Sequence, residues 1–142
     1  MICTFFGHRD TPDEIRKALT ETIKKLTTEE DELLFYVGNN GKFDYLVQIV
    51  LSEIKKEDKS IDYCVVLSYL GEHALSNQQE NTIFPEGLEN VPPRFAISKR
   101  NEWMLKNSDC VITYTAHKFS NSYKLIQKAL KRGLRVINLA EK

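Results

Sequence analysis

Apolar residues in this chain fall in short continuous runs separated by amphipathic stretches. Ile2 to Phe6 is the first run, and Gly7 ends it. A run of this length bounded by a turn residue reads as a buried strand. Thr11-Pro12-Asp13-Glu14 then spells a helix start, with Thr11 as cap, Pro12 in the first turn and Glu14 closing a capping box. Ile15, Ala18, Leu19, Ile23 and Leu26 follow at helical spacing, with Lys and Glu on the other face. Leu33 to Val37 is a second strand, closed by the turn Gly38-Asn39-Asn40-Gly41. Phe43, Leu46, Val47, Val50, Leu51 and Ile54 mark a second amphipathic helix, and Ile61 to Leu67 a third strand.

Tyr69 to Pro93 breaks this rhythm. It is polar, contains Asn77-Gln78-Gln79 and holds three of the four prolines. A loop of this length in a compact domain is often functional, so it is expected to form an ordered lid or wall over a site. A third helix is predicted from Phe95 or Ala96 to about Lys106, and a fourth strand from Asp109 to Tyr114. A fourth helix is predicted from about Ser122 to Lys131, stopped by Gly133, and then a last strand from Leu134 to Leu139. There is no internal repeat and no low-complexity tract.

Strands alternating with helices imply an α/β fold: a doubly wound, five-stranded parallel sheet with helices on both faces, since parallel neighbours need right-handed crossovers. Two windings fit, 3-2-1-4-5 and 2-1-3-4-5. Both place ligands beyond the carboxyl ends of the strands, where the winding reverses. That rule selects three loops: Gly7-His8-Arg9-Asp10 after strand one, Gly38 to Asp44 after strand two, and Thr115 to Asn121 after strand four. Glycine after a strand lets a ligand approach the backbone, and the following helix start offers free N–H groups to an anion. Arg9 can grip a phosphate or carboxylate in bidentate fashion. Asp44 suits ribose hydroxyls or, alternatively, a helix cap. Arg100 and Asn101 lie between Ile97 and Met104 on the expected inward stripe of helix three, where a polar side chain needs a partner, either a ligand or the long loop. Trp103 suits the core or a subunit contact. His8, His73 and His117 all fall in loops.

Composition narrows the function classes. The 142 residues suit one domain spanning 1–142, and 42% hydrophobic residues supply one core. Twenty basic residues balance twenty acidic ones, so no global field favours nucleic acid or a membrane surface. No apolar run approaches the roughly 18 residues of a membrane span, and Met1 to Phe6 lacks the pattern of a signal peptide; a cytoplasmic location is expected. Cys3, Cys64 and Cys110 each sit in an apolar run, as buried thiols do, and no pairing suggests a disulfide framework or structural zinc. The chain has no P-loop, no GxGxxG after a strand, no HExxH and no nucleophile elbow. No cofactor is therefore expected.

Four blocks of the chain together resemble a known family. They are Cys3-Thr4-Phe5-Phe6-Gly7-His8-Arg9-Asp10; Phe35-Tyr36-Val37-Gly38-Asn39-Asn40-Gly41-Lys42-Phe43-Asp44; Pro85-Glu86-Gly87-Leu88-Glu89 with Pro93 to Met104; and Ser108 to Tyr114. In this order they resemble the small YpsA-like proteins of bacteria, in the SLOG superfamily. The resemblance implies a Rossmann-like fold with strand order 3-2-1-4-5 and a pocket for a nucleotide or nucleotide-derived ligand. Residue by residue it implies a site of Gly7, His8, Arg9, Gly38, Asn39, Gly41, Asp44, Glu86, Arg94, Arg100 and Asn101, to which the loop after strand four adds Thr115 and Ser120. It is also compatible with a homodimer.

The chain departs from the family after strand four. The family usually shows a His-Ser-Trp-Gly-Gly type of turn there, and this chain has His117-Lys118-Phe119-Ser120-Asn121, with both glycines gone. Ser120 and Asn121 are left to donate from their side chains or to cap helix four. The superfamily includes sensors of nucleotide signals, Lonely Guy phosphoribohydrolases and single-stranded-DNA-binding DNA-processing proteins. A sensor or binding role fits the polar strand-end loops. The hydrolase alternative would use Glu86 or Asp44 as general base or oxocarbenium stabiliser, but the Pro-Gly-Gly turn of those enzymes is missing. Neutral charge counts against the nucleic-acid alternative.

Overall fold

The computed structural model describes residues 1–69 and 81–141. Among these, the strands are β1 (Ile2–Gly7), β2 (Leu33–Val37), β3 (Ile61–Val66), β4 (Asn81–Ile83), β5 (Cys110–Tyr114) and β6 (Arg135–Asn138). The helices are α1 (Ile15–Glu29), α2 (Gly41–Glu57), α3 (Pro93–Lys106) and α4 (Asn121–Lys131), with a 3-10 turn at Leu88–Asn90. The sheet is parallel throughout, in the order β4-β3-β2-β1-β5-β6.

The five predicted strands keep the 3-2-1-4-5 winding, but the five-stranded expectation is corrected to six. The added strand, β4, lies inside the segment read as a loop and pairs Cys64, Val65 and Val66 with Asn81, Thr82 and Ile83. It is a short, largely exposed edge strand, as edges that resist further pairing tend to be. The lid expectation also changes. The described part of the segment borders β3, with Leu88 buried and Phe84 packed on the core. His73 and Asn77-Gln78-Gln79 lie outside the described residues.

Strand periodicity divides the core in two. Phe5, Phe35, Val65 and Ile112 point to the face covered by α1 and α2, where they meet Leu19, Ile23, Val47 and Leu51. Phe6, Val66 and Val111 point to the opposite face and pack on Met104 and Leu105 of α3 and on Leu125, Ile126 and Ala129 of α4. Trp103 joins this second core, its ring 5.2 Å from that of Tyr36. Cys3 and Cys110 are buried side by side on β1 and β5, and all three cysteines are free thiols. Among the described residues no helix is long and apolar enough to cross a membrane.

Two local expectations are corrected by where hydrogen bonds go. The capping box at α1 does not form. The Thr11 hydroxyl instead donates to the His8 carbonyl at 2.6 Å, and α1 begins only at Ile15 through two preceding turns. On α3 the inward stripe is Ala96, Arg100, Met104 and Leu105, offset from the predicted one; Ile97 is exposed and Asn101 half-buried. Gly133 does stop α4: its N–H and that of Leu134 return to the carbonyls of Leu130 and Ala129, closing the last turn.

Candidate functional site

The winding reverses between β1 and β5. From β1 the chain moves outward through β2 and β3 to β4, then crosses back to β5 and continues to β6. The carboxyl ends of β1 and β5 therefore open a crevice, flanked by the first turns of α2 and α4. A pocket of about 280 Å³ occupies it, lined among others by Gly7, His8, Arg9, Asn40, Asp44, Arg100, Asn101, Asn121 and Ser122.

Two glycines permit this assembly. A Cβ on Gly7 would lie 2.2 Å from Cγ of Phe43, so the first turn of α2 seats on the end of β1 only because position 7 has no side chain. A Cβ on Gly38 would lie 2.6 Å from Asp44 Oδ2 and 2.8 Å from Arg100 Cζ. Gly38 thus lets a carboxylate and a guanidinium converge from α2 and α3 above the end of β2.

Arg100 is 2% exposed. Its Nη1 donates to the Asn39 side-chain oxygen and to the Val66 carbonyl, each at 3.2 Å, and its Nε donates to Asn101 Oδ1 at 2.9 Å. These bonds pin the guanidinium plane, and among the described residues none accepts a hydrogen bond from Nη2. Burial pulls the Arg100 pKa down and the Asp44 charge opposes it; a guanidinium this basic stays charged.

Asp44 is 8% exposed, and its Oδ2 accepts the Asn40 N–H at 3.0 Å, so the carboxyl also serves the predicted alternative of capping α2. Burial pushes its pKa from 3.8 to about 6, against the opposing pull of Arg100 and the Asn40 N–H. The two side chains attract across the gap without closing to a direct ion pair. Beside them the Asn40 side-chain oxygen is buried with no hydrogen-bond partner. The pocket therefore presents a carboxylate and an amide oxygen able to accept, together with guanidinium and hydroxyl groups able to donate.

The Asp44 shift has a stability consequence with a definite sign. Its folded pKa lies above its unfolded value, so folding takes up a proton between about pH 4 and 6. The contribution of this group to stability declines as pH rises through that window and is level above it. Urea unfolding of Asp44→Asn should show that decline removed, a difference from the parent of about 2–3 kcal/mol accumulated across the window. Parallel pH curves for the two proteins would mean that Asp44 titrates normally.

His8 closes the other end. Its Nε2 accepts the Ala116 N–H at 2.9 Å and, more weakly, the His117 N–H at 3.4 Å, while Nδ1 lies 3.5 Å from Ser122 Oγ. Burial first, and then the neighbouring His117, lowers its pKa, with Asp10 opposing. His8 is therefore neutral near pH 7.

The candidate residues read from the sequence separate into two groups. Gly7, His8, Arg9, Asp44, Arg100 and Asn101 line the pocket, with Gly38 and Asn39 directly beneath the charged pair. Gly41 opens α2 with the Arg9 side chain packed across it. The structure does not bring in the others. Glu86 is exposed ahead of the 3-10 turn, and the exposed Arg94 lies over the Phe95 ring at 4.8 Å. Thr115 is tied to Asn138 by two bonds of 3.1 Å. Ser120 caps α4 by accepting the Tyr123 N–H at 3.2 Å.

Sequence reasoning did not single out Asn40 or Ser122 as site residues, and offered Asn121 only as a side-chain donor or helix cap in place of the missing glycines. The helix-start rule that selected the loops also points to Asn121 and Ser122, whereas the position of Asn40 depends on how Asp44 folds back over it. Among the described residues no group of His, Cys, Asp or Glu side chains comes together in a metal-binding arrangement.

This architecture has known counterparts. DNA processing protein A from Streptococcus pneumoniae superposes with a TM-score of 0.69 at 16% identity, over 94% of this chain and 48% of that one. The fold is shared with DNA processing protein A. The Helicobacter pylori protein, described for its single-stranded DNA binding mode, matches with a TM-score of 0.65 at 13% identity, over 96% of this chain and 63% of its own. The chain thus spans about half to two thirds of these proteins. Together with the parallel sheet, the likeness makes the fold Rossmann-like. No protein-family model matches the chain, and no curated protein sequence does either.

Proposed function

We propose that the strand-end pocket binds a nucleotide or nucleotide-derived small ligand, in a sensing or binding role. The observation that carries this reading is the buried Arg100–Asp44 pair facing a helix N-terminus and Arg9 across one pocket at the winding reversal. The ligand best matched to it carries an anionic group for the Arg9 and α4 end and hydroxyl or amino donors for Asp44 and the unpartnered Asn40 oxygen. A phosphorylated nucleoside has both, on a scaffold of suitable size. The resemblance to YpsA-like SLOG proteins points the same way.

A second reading, binding of single-stranded DNA, is favoured by the fold shared with the DNA processing proteins. The balanced charge of the chain argues against it. For the hydrolase reading, Asp44 is the only one of its two candidate carboxylates that lines the pocket.

Thermal unfolding against a panel of mononucleotides, nucleotide sugars and a short deoxyoligonucleotide tests these readings. A mononucleotide or nucleotide sugar at about a hundred times its Kd should stabilise the protein by about 2.7 kcal/mol, and Arg9→Ala should abolish most of the shift. Stabilisation by the oligonucleotide alone, falling steeply with salt, would establish the second reading instead. Release of free base or phosphate over time, stopped by Asp44→Asn, would make the protein a hydrolase.

A further inference from the structure

In the loop between β5 and α4, the backbone N–H groups of Ala116 and His117 are engaged by a side chain. Both point at Nε2 of His8, at 2.9 and 3.4 Å. A ring nitrogen that accepts N–H donors carries no proton, so the neutral ring keeps its proton on Nδ1, facing Ser122 Oγ at 3.5 Å. The contact therefore exists in one protonation state only. A proton on Nε2 would point N–H against N–H.

We propose that His8 is a proton-operated latch on the anion-binding end of the pocket: neutral, it holds the Ala116 and His117 N–H groups; protonated, it releases them to a ligand oxyanion and stands beside that oxyanion as a cation. The proposal rests on the reading above that the pocket takes a phosphate-bearing ligand.

The surroundings of His8 suit a switch. Its own loop supplies Arg9 and Asp10, and Asp10 favours the imidazolium. β5 presents Tyr114 edge-on, with ring centres 5.8 Å apart, and the following loop presents His117 with ring centres 4.6 Å apart. α4 contributes Ser122, and Asp44 and Arg100 line the same pocket from α2 and α3. Burial and His117 hold the ring neutral near pH 7. An arriving oxyanion offsets both effects, because it pairs with the imidazolium and takes over the N–H donors. Binding thus takes up a proton, and the proton goes to Nε2.

Nitrogen-15 NMR of the full, ligand-free chain between about pH 5 and 8 tests the latch directly. The His8 ring and the Ala116 and His117 amides should titrate with one midpoint, and in His8→Gln, which still accepts but cannot ionise, the amides should stay still. Amides that ignore the His8 titration, or a neutral ring protonated on Nε2, would overturn the proposal.

Calorimetric titration with inorganic sulfate, whose charge is constant over this range, tests the release to ligand. Its affinity should rise about tenfold per pH unit of acidification above the His8 midpoint. Asp44→Asn should keep most of that slope, because the carboxyl titrates in the same window but is not the latch, and His8→Gln should lose it. A slope retained in His8→Gln would overturn the proposal. No sulfate binding at any pH would count against the anion site, while the amide titration would still decide whether the latch opens.

Discussion

Arg100→Ala is expected to destabilise the protein by about 3–5 kcal/mol, the cost of removing one partner of a buried charged pair. The mutation strands more than a carboxylate. The Asn39 side-chain oxygen, the Val66 carbonyl and Asn101 Oδ1 each lose a donor, and the deep position of the guanidinium gives water little access to replace it. Asp44 keeps its Asn40 N–H but loses its counter-charge, so its pKa should climb above the present value of about 6. At about 2–4 °C per kcal/mol for a chain of this length, Tm should fall by about 10–15 °C. Asp44→Asn in the Arg100→Ala background should cost less than the sum of the two single changes, because the carboxylate it removes is already stranded; a coupling of about 1–3 kcal/mol is expected for groups in one network. Urea unfolding supplies all four corners of the cycle. Strict additivity would show that the two side chains do not share an environment, and the shared pocket would lose its basis.

Gly7→Ala is the second large effect, and it acts through shape alone. The new methyl would meet the Phe43 ring at 2.2 Å, inside any tolerable contact, and that ring is itself 2% exposed at the start of α2. Overpacking of this kind costs about 1–3 kcal/mol where neighbours can yield, and more where they cannot. Here the ring is wedged between β1 and its own helix, so about 3 kcal/mol is expected. Phe43→Ala removes the Cγ and the ring that the methyl strikes and should make Gly7→Ala much less costly in its background, even though Phe43→Ala is itself destabilising. A Gly7→Ala protein as stable as the parent would mean that α2 does not sit on the end of β1, and the pocket geometry would fail with it.

How far the sequence foretold this structure depended on whether the deciding interaction was local. Continuous apolar runs announced β1, β2, β3 and β5, since a strand with most of its side chains buried needs nothing distant to identify it, and Val136-Ile137 announced the half-buried edge strand β6. β4 gave no such signal: Asn81-Thr82-Ile83 has one apolar residue, and what makes it a strand is the exposed edge of β3 beside it. The α1 capping box looked complete in sequence, yet the Thr11 hydroxyl found a better-placed acceptor in the His8 carbonyl.

The offset stripe on α3 has a similar origin. A helix does not normally turn an arginine inward, and what holds Arg100 there lies at the ends of β2 and β3 and on α2, far away in sequence. For the site, the winding rule was enough to bring Gly7 to Arg9 and Gly38 to Asp44 to one crevice. It could not place Glu86 or Arg94, which depend on the path of a connection with little periodicity. Nor could it show that His8, one of the expected site residues, spends its lone pair on the loop after β5.

The proposed small-ligand site is the crevice at the carboxyl ends of β1, β2 and β5. Amide chemical-shift mapping with the mononucleotide or nucleotide sugar that most raises Tm tests it most directly. Shifts are expected to concentrate at Gly7 to Arg9, Asn39 to Asp44, Arg100 to Asn101 and Ala116 to Ser122, saturating with a single Kd. Shifts clustered instead around Met1, Leu33 and Ile61, at the opposite end of the strands, or no saturable shifts with any ligand of the panel, would contradict it.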